Sequence, residues 1–483
     1  MAVSDDQIVA QNPWWTYPGW SASDPHLTTL AAQPMRLPAD VVADLDLEAA
    51  GIHVLRGPRQ VGKSTDLKLL VERSIAEGRP PRSVVYLALD LLEGQDIREL
   101  ALSIKGAKSL AGETSSSCLI LLDEVTAVER WQTALKALWD DGTLRHDVVV
   151  CTGSSAVDLQ RGAAERLPGR RGAGDDHLLL PQPFPSFAAA TDATAPPSPR
   201  LTIADLRTPD GQAVLEDARV HRPALDAALD RYLLFGGFPA AVAEASEGLP
   251  EPSRATKRVV YDSLVKELQR RGASVPAGDA LLTRVTRALG SQTNWSDLAR
   301  QMDVPLGRHA TGPTSHHTLR SYIELMAGGY FLFIVHFWRL GPATNDLSRN
   351  RKLFFADPLL HTVALDRAPG LRPNLPALVE NAIGMALFRR YEPPDRLAET
   401  FVAPERLHVW RTGRGGEIDF VAGPRGALEI VEVKYQNAPG RRAAAAAAQA
   451  LPGRPVIMAT KSELSTAESY SLIPASLLLW ALG

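Results

Sequence analysis

The chain has 483 residues, of which 45% are hydrophobic and 22% charged, and its formal net charge is −3. That length allows roughly three domains of about 150 residues with substantial cores, and the charge excludes a globally basic nucleic-acid binder, so any such contact must use a local patch. The two cysteines, Cys118 and Cys151, lie in apolar runs that read as neighbouring buried strands, which excludes a disulfide scaffold and a Cys-rich zinc site.

Residues 1–45 carry Trp14, Trp15, Tyr17 and Trp20 among prolines. They read as an ordered aromatic arm packed on the next domain, with stacking on an adenine as the alternative. The acidic start has no apolar core and does not read as a secretory signal. The densest apolar stretch, Tyr330 to Trp338, is shorter than the roughly 20 residues that span a bilayer. A cytoplasmic protein with no membrane partner is the expectation.

Residues 46–212 alternate strands and helices. Ile52 to Leu55 is a short apolar strand, and Asp66 to Val71 reads as a helix. Between them Gly57-Pro58-Arg59-Gln60-Val61-Gly62-Lys63-Ser64 satisfies G-x-x-x-x-G-K-S/T at every fixed position, followed by Thr65. Glycines let backbone N–H groups close around phosphate oxygens, Lys63 can reach the β- and γ-phosphates, and Ser64 can ligate Mg²⁺. ATP and Mg²⁺ are therefore the expected cofactors.

Further strands read over Ser83–Leu89, Cys118–Leu122 and Val148–Thr152, with a helix over Val128–Trp139. That alternation predicts a parallel sheet with helices on both faces. The run Leu119 to Leu122 ends in Asp123 and Glu124, one acid to hold the metal through water and one to orient the attacking water. The next strand ends in Thr152-Gly153-Ser154-Ser155, where Ser154 or Thr152 could sense the γ-phosphate or simply satisfy a turn. Arg161, Arg166, Arg170 and Arg171 follow. An arginine here could stabilise phosphoryl charge in cis or from a neighbouring copy in a homo-oligomer, could touch DNA phosphates, or could belong to a solvated loop. Residues 188–199, rich in Ala and Pro, read as a flexible insertion.

Residues 213–344 read as mostly helical, over Leu225–Leu234, Ser253–Arg271, Ala280–Leu289 and Ser315–Met326, with a short helix capped by Ser296. Apolar Tyr330 to Phe337 follows. Helix, turn, helix and strand is the winged-helix order, and a plain helical bundle fits the pattern equally. Residues 345–483 form a second α/β region, with a helix over Ala377–Tyr391, strands at Val409–Arg411, Glu417–Ala422, Leu428–Tyr435 and Pro455–Thr460, and a helix-forming alanine run after Arg441 and Arg442.

Several of these stretches recur in a fixed order: Gly57 to Ser64, Leu121 to Glu124, Thr152 to Ser155, Leu167 to Arg170, Leu180 to Phe184, Tyr232 to Pro239 and Lys352 to Asp357. In that order the chain resembles the prokaryotic AAA-plus ATP-binding proteins that carry a C-terminal domain of unknown function. The resemblance implies an AAA-plus core, a helical and winged-helix middle and a restriction-endonuclease-like end. Residues 188–212 depart from the compact spacing of that family.

In the last region, Glu417 shares a strand face with Asp419, and Glu432 shares one with Lys434. A turn at Gly423 to Gly426 can pair the two strands and bring Asp419 to Glu432. Close carboxylates repel unless a cation sits between them, and Mg²⁺ suits oxygen ligands. An exposed polar hairpin face is the alternative. The pattern also resembles the PD-(D/E)xK nuclease core, and that resemblance makes Glu380 the upstream acid and Lys434 the group beside the attacking water. The combined expectation is an ATPase coupled to DNA binding or processing, with DNA held by Arg161, Arg166, Arg170, Arg171, Arg425, Arg441 and Arg442. The rival readings are a nucleotide-switched signalling or scaffold ATPase, and a protein remodeller.

Overall fold

The structure is a computed structural model that describes residues 3–33, 42, 45–90, 96–112, 117–153, 171–270, 272–306, 312–339, 344–368, 370–393, 400–411, 416–437 and 440–483. The chain forms two compact units, Met1–Leu180 and Pro181–Gly483.

The first unit is built on five strands: β1 (Gly51–Arg56), β2 (Val84–Ala88), β3 (Leu119–Asp123), β4 (Val148–Gly153) and β5 (Asp176–Leu178). They lie in the order β2-β3-β4-β1-β5, and every pairing is parallel. Parallel strands buried on both faces read as continuous apolar runs, and Leu119 to Leu122 and Val148 to Cys151 are wholly buried. Helices Lys63–Ala76, Ile97–Ala111 and Trp131–Asp140 provide the crossovers. The last begins three residues later than the sequence suggests, because Val125–Ala127 forms a separate 3₁₀ turn.

The aromatic arm is packed on this sheet. Strand β2 is an edge, and exposed edges invite unwanted pairing. The arm covers it. The indole Nε1 groups of Trp14 and Trp15 both donate to the Val84 carbonyl at 2.9 Å. The Asn12 side chain donates to the Tyr86 carbonyl at 2.9 Å and accepts from the Tyr86 N–H at 2.7 Å.

The second unit joins helices to a mixed eight-stranded sheet. Its strands are β6 (Leu332–Arg339), β7 (Thr344–Phe355), β8 (Leu407–Arg411), β9 (Glu417–Ala422), β10 (Glu429–Lys434), β11 (Val456–Thr460), β12 (Ser465–Thr466) and β13 (Ser471–Pro474). Their order is β12-β13-β11-β10-β9-β8-β6-β7. The strand expected to close a winged helix, β6, thus belongs to the C-terminal sheet, where it pairs antiparallel with β7 and parallel with β8.

Two local expectations are corrected. The short helix Trp295–Arg300 is capped by Asn294, whose side chain accepts from the Asp297 N–H at 2.8 Å, and Ser296 lies inside the first turn. Nor is 188–199 a loose insertion. Its alanines complete the helix Phe184–Thr191, and Trp480 Nε1 donates to the Pro196 carbonyl at 2.8 Å. Alanine favours helix, and a proline carbonyl is a free acceptor for an indole. Among the described residues no helix is long and apolar enough to cross a membrane.

Candidate functional site

At the carboxyl end of β1 the chain turns through Gly57 to Gly62 and enters the helix at Lys63. A β-carbon on Gly57 would stand 2.2 Å from the Leu179 carbonyl oxygen, so only glycine lets the loop pass this close to the β5 side. Lys63 is buried, and its ammonium donates to the carbonyls of Gly57 at 2.9 Å and Pro58 at 2.8 Å. Burial pushes its pKa down to about 8, against the opposing charges of Glu124 and Asp123. An ammonium folded onto the carbonyls of its own loop, at the positive end of a helix, is suited to exchange those carbonyls for phosphate oxygens. Asp66, in the first turn of the same helix, is pushed up to about 7 by burial.

Strands β3 and β4 bring the acids to the same end of the sheet. Asp123 Oδ1 accepts from the Thr152 hydroxyl at 2.5 Å, and Oδ2 accepts from the Tyr86 hydroxyl at 2.8 Å. Hydroxyl partners orient a carboxylate without neutralising it, a donor set that fits a hydrated Mg²⁺ shared with Ser64. Glu124 adopts a left-handed backbone conformation, φ 53°, and its N–H donates to Thr152 Oγ1 at 2.9 Å. Its Oε1 accepts from Thr126 Oγ1 at 2.9 Å and lies 3.5 Å from Arg59 Nη2. Ser154, Arg161, Arg166 and Arg170 lie outside the described residues.

In the second unit, the hairpin forms as the turn at Gly423 to Gly426 implies, with Glu429 opposite Ala422 and Val431 opposite Phe420. The next residues along bring Asp419 and Glu432 to one ammonium: Lys434 Nζ lies 3.6 Å from Asp419 Oδ2 and 3.2 Å from Glu432 Oε2, and burial with the charge of Asp419 raises the Glu432 pKa. Glu380, from helix Leu375–Tyr391, and Lys434 complete the expected set. The cation at its centre is a lysine. Lys352 Nζ lies 2.7 Å from Glu380 Oε1, 2.6 Å from Glu417 Oε1 and 3.1 Å from Asp419 Oδ1. Burial alone would depress Lys352, but Asp419, Glu380 and Glu417 outweigh it and hold its pKa above the ordinary value. The expected Mg²⁺ at Glu380, Asp419 and Glu432 does not fit this arrangement, because the Lys352 ammonium already engages Glu380 and Asp419, and Lys434 engages Glu432. Among the described residues no group of three or more acidic, histidine or cysteine side chains is arranged to hold a metal.

Residues 50–187 match a family model described as an AAA domain, and residues 226–369 match one described as a domain of unknown function. Residues 50–187 are thus similar to an AAA domain. An uncharacterized protein of Haemophilus influenzae is 23% identical over 342 residues, which is 70% of this chain and 74% of that protein. Among solved structures, the Aeropyrum pernix ORC2 protein in its ADPNP–ADP complexes is 13% identical with a TM-score of 0.32, covering 66% of this chain and 88% of that one. The A. pernix ORC1 protein in complex with DNA is 14% identical with a TM-score of 0.30, covering 74% and 97%. The S. cerevisiae Hsp104–ADP complex is 15% identical with a TM-score of 0.25, covering 52% and 33%. At these scores the likenesses give no residue-level guidance.

In the first unit, sequence reasoning overlooked Tyr86, a buried strand tyrosine whose hydroxyl needs a partner, and left Thr152 as one of two alternatives. Thr152 joins both acids: it donates to Asp123 and accepts from the backbone of Glu124. Thr152→Val keeps the shape and removes both bonds. Steady-state ATP hydrolysis by this variant should show kcat reduced by about tenfold or more, for roughly one hydrogen bond to a charged group, with KM for ATP nearly unchanged.

Three of the ordered motifs meet in a structural contact. Asp357 is fully buried and accepts from the backbone N–H groups of Gly237 at 2.7 Å and Leu359 at 2.9 Å. A β-carbon on Gly236, at φ +67°, would stand 1.9 Å from Asp357 Oδ1. The Gln182 N–H donates to the Gly237 carbonyl at 2.7 Å. Three distant segments are therefore tied at one glycine pair. Of the described candidate arginines, Arg171 is 2.8 Å from Asp176 and Arg441 is paired with Glu463, while Arg425 and Arg442 are exposed.

Proposed function

We propose that this chain is a Mg²⁺-dependent ATPase that binds ATP along Gly57 to Thr65. Ser64 and Asp123 hold the metal, and Glu124 positions water. The observation that carries this reading is Lys63, buried and bonded to the carbonyls of its own loop, beside a strand end that carries Asp123 and Glu124. Bound Mg²⁺ would neutralise charge on the transferring phosphoryl group.

Coupling to DNA is the second part of the proposal. It is supported by element order: helix Trp295–Arg300 and helix His316–Gly328 follow one another as in a helix-turn-helix. From Leu375 the order is helix, β8, β9, β10, helix Arg441–Ala450 and β11, which is that of a nuclease-like module. Arg425 and Arg442 are candidate phosphate contacts. The ATPase rate measured with and without single- and double-stranded DNA tests the coupling, and an unchanged rate with both would reject it. Binding should be strongly salt-dependent. With about four phosphate contacts, affinity should fall on the order of 100-fold between 50 and 200 mM salt. A flat salt response in a fluorescence-anisotropy titration would count against the assigned arginines.

One observation favours the second reading, a nucleotide-switched ATPase whose C-terminal module binds a partner without cutting it. Of the carboxylates that a nuclease would give to a metal, Glu380 and Asp419 are engaged by Lys352 and Glu432 by Lys434. Metal-dependent nicking of plasmid DNA by the full chain separates the two.

A further inference from the structure

Lys352 reaches the carboxylate cluster from β7, where period-two alternation places it on the same face as the core residue Phe354. Its side chain is 1% exposed. A lysine ammonium has three N–H donors and no acceptor, so the carboxylates of Glu380, Glu417 and Asp419 use its full capacity. The surroundings hold those carboxylates in place. Gln292 donates to Glu417, and Gly290 leaves room for Glu380, since a β-carbon there would stand 2.9 Å from Oε2. Asp419 has a partner on each oxygen. Its Oδ1 faces Lys352, and its Oδ2 accepts from the Val433 N–H at 3.0 Å and lies 3.6 Å from Lys434 Nζ. Lys434 also donates to Glu432 Oε2 at 3.2 Å.

A cavity of about 840 Å³ opens over this cluster, lined among others by Trp410, Glu417, Glu432 and Lys434. Lys352 does not line it, so the ammonium sits beneath the floor and is not a group that a ligand could draw aside. A divalent ion entering from the cavity would meet Glu417 and Glu432, already paired with Lys352 and Lys434, and would stand beside a buried positive charge.

We propose that Lys352 is a built-in cation that takes the place of the divalent metal at this site, so that the C-terminal module is metal-independent and does not hydrolyse phosphodiesters. This holds whether or not residues 50–187 hydrolyse ATP, because it concerns other residues and a different readout.

The test is Mn²⁺ binding to the full chain without nucleotide, followed by electron paramagnetic resonance and by thermal unfolding. Wild-type protein and Asp419→Asn should bind Mn²⁺ alike, with no site that Asp419 supports. Lys352→Met keeps the stem and removes the charge, leaving buried carboxylates without their cation. It should unfold at a temperature lower by about 5 °C or more. It should also gain a Mn²⁺ site that restores much of that loss, and the double variant Lys352→Met/Asp419→Asn should lose the gained site. Mn²⁺ binding by the wild type that disappears in Asp419→Asn would overturn the proposal, as would a folded Lys352→Met that gains no Mn²⁺ site. If Lys352→Met does not fold, the comparison of wild type with Asp419→Asn still decides.

Discussion

Lys63→Ala should abolish measurable ATP binding while the protein stays folded. In the free protein the ammonium bonds two carbonyls of its own loop. Its loss leaves acceptors at the mouth of the nucleotide site, where water can replace it, so circular dichroism and the unfolding transition should change little. With ATP bound, the same ammonium bonds phosphate oxygens. Hydrogen bonds to charged groups contribute about 1.5–3 kcal/mol each, and two of them correspond to a loss on the order of 10²–10⁴ in affinity. The free-state pKa of about 8 adds a pH signature. Phosphate raises the pKa in the complex, so binding is strongest when Lys63 is already protonated. Wild-type affinity should be level below about pH 8 and weaken as pH rises above it. A fluorescent-nucleotide titration across pH 7–9.5 reads both effects. Normal affinity in folded Lys63→Ala would remove the lysine from the site.

The nucleotide end of the sheet was legible in the sequence because its chemistry is local. Eight consecutive residues specify the loop, and apolar runs buried on both faces specify parallel strands. The hairpin at β9 and β10 was legible for a similar reason: a short glycine turn sets the register, and register sets which side chains meet. Lys352 was not legible as a site residue. It stands at the head of Leu353-Phe354-Phe355, where a lysine reads as the solvent end of a strand. Only the sheet order, which puts β7 beyond β6 and β8 on the side of Glu380, shows that its face is inward. Tyr86 was hidden in the same way, and so was the link of Thr152, itself read as a candidate phosphate sensor, to Asp123, since each acts on that acid from a neighbouring strand, 37 and 29 residues away. Asp357, at the end of the ordered stretch that starts at Lys352, holds the Gly236–Gly237 turn and is pushed up to about 7 by burial.

Glu124→Gln should bind ATP and fail to turn it over. Glutamine preserves the shape and can still face Thr126, which donates to Glu124 Oε1 at 2.9 Å. The backbone bond from residue 124 to Thr152 also survives, so Asp123 and the loop stay in place. What is lost is the carboxylate that orients and polarises the attacking water. Removing a positioned general base costs about 10²–10⁴ in rate. The variant should therefore show near-wild-type nucleotide affinity and kcat lower by that factor, a split that a folding defect would not produce. Arg59 sharpens the result. Its Nη2 lies 3.5 Å from Glu124 Oε1 in the free protein, and a neutral amide no longer pairs with it. Arg59 is then free to turn toward the phosphates, so ATP affinity in Glu124→Gln should match or exceed the wild type. Single-turnover hydrolysis alongside equilibrium ATP titration separates the two quantities. A wild-type rate would move the base to another residue, and a parallel loss of affinity would mean that Glu124 shapes the pocket instead of acting on water.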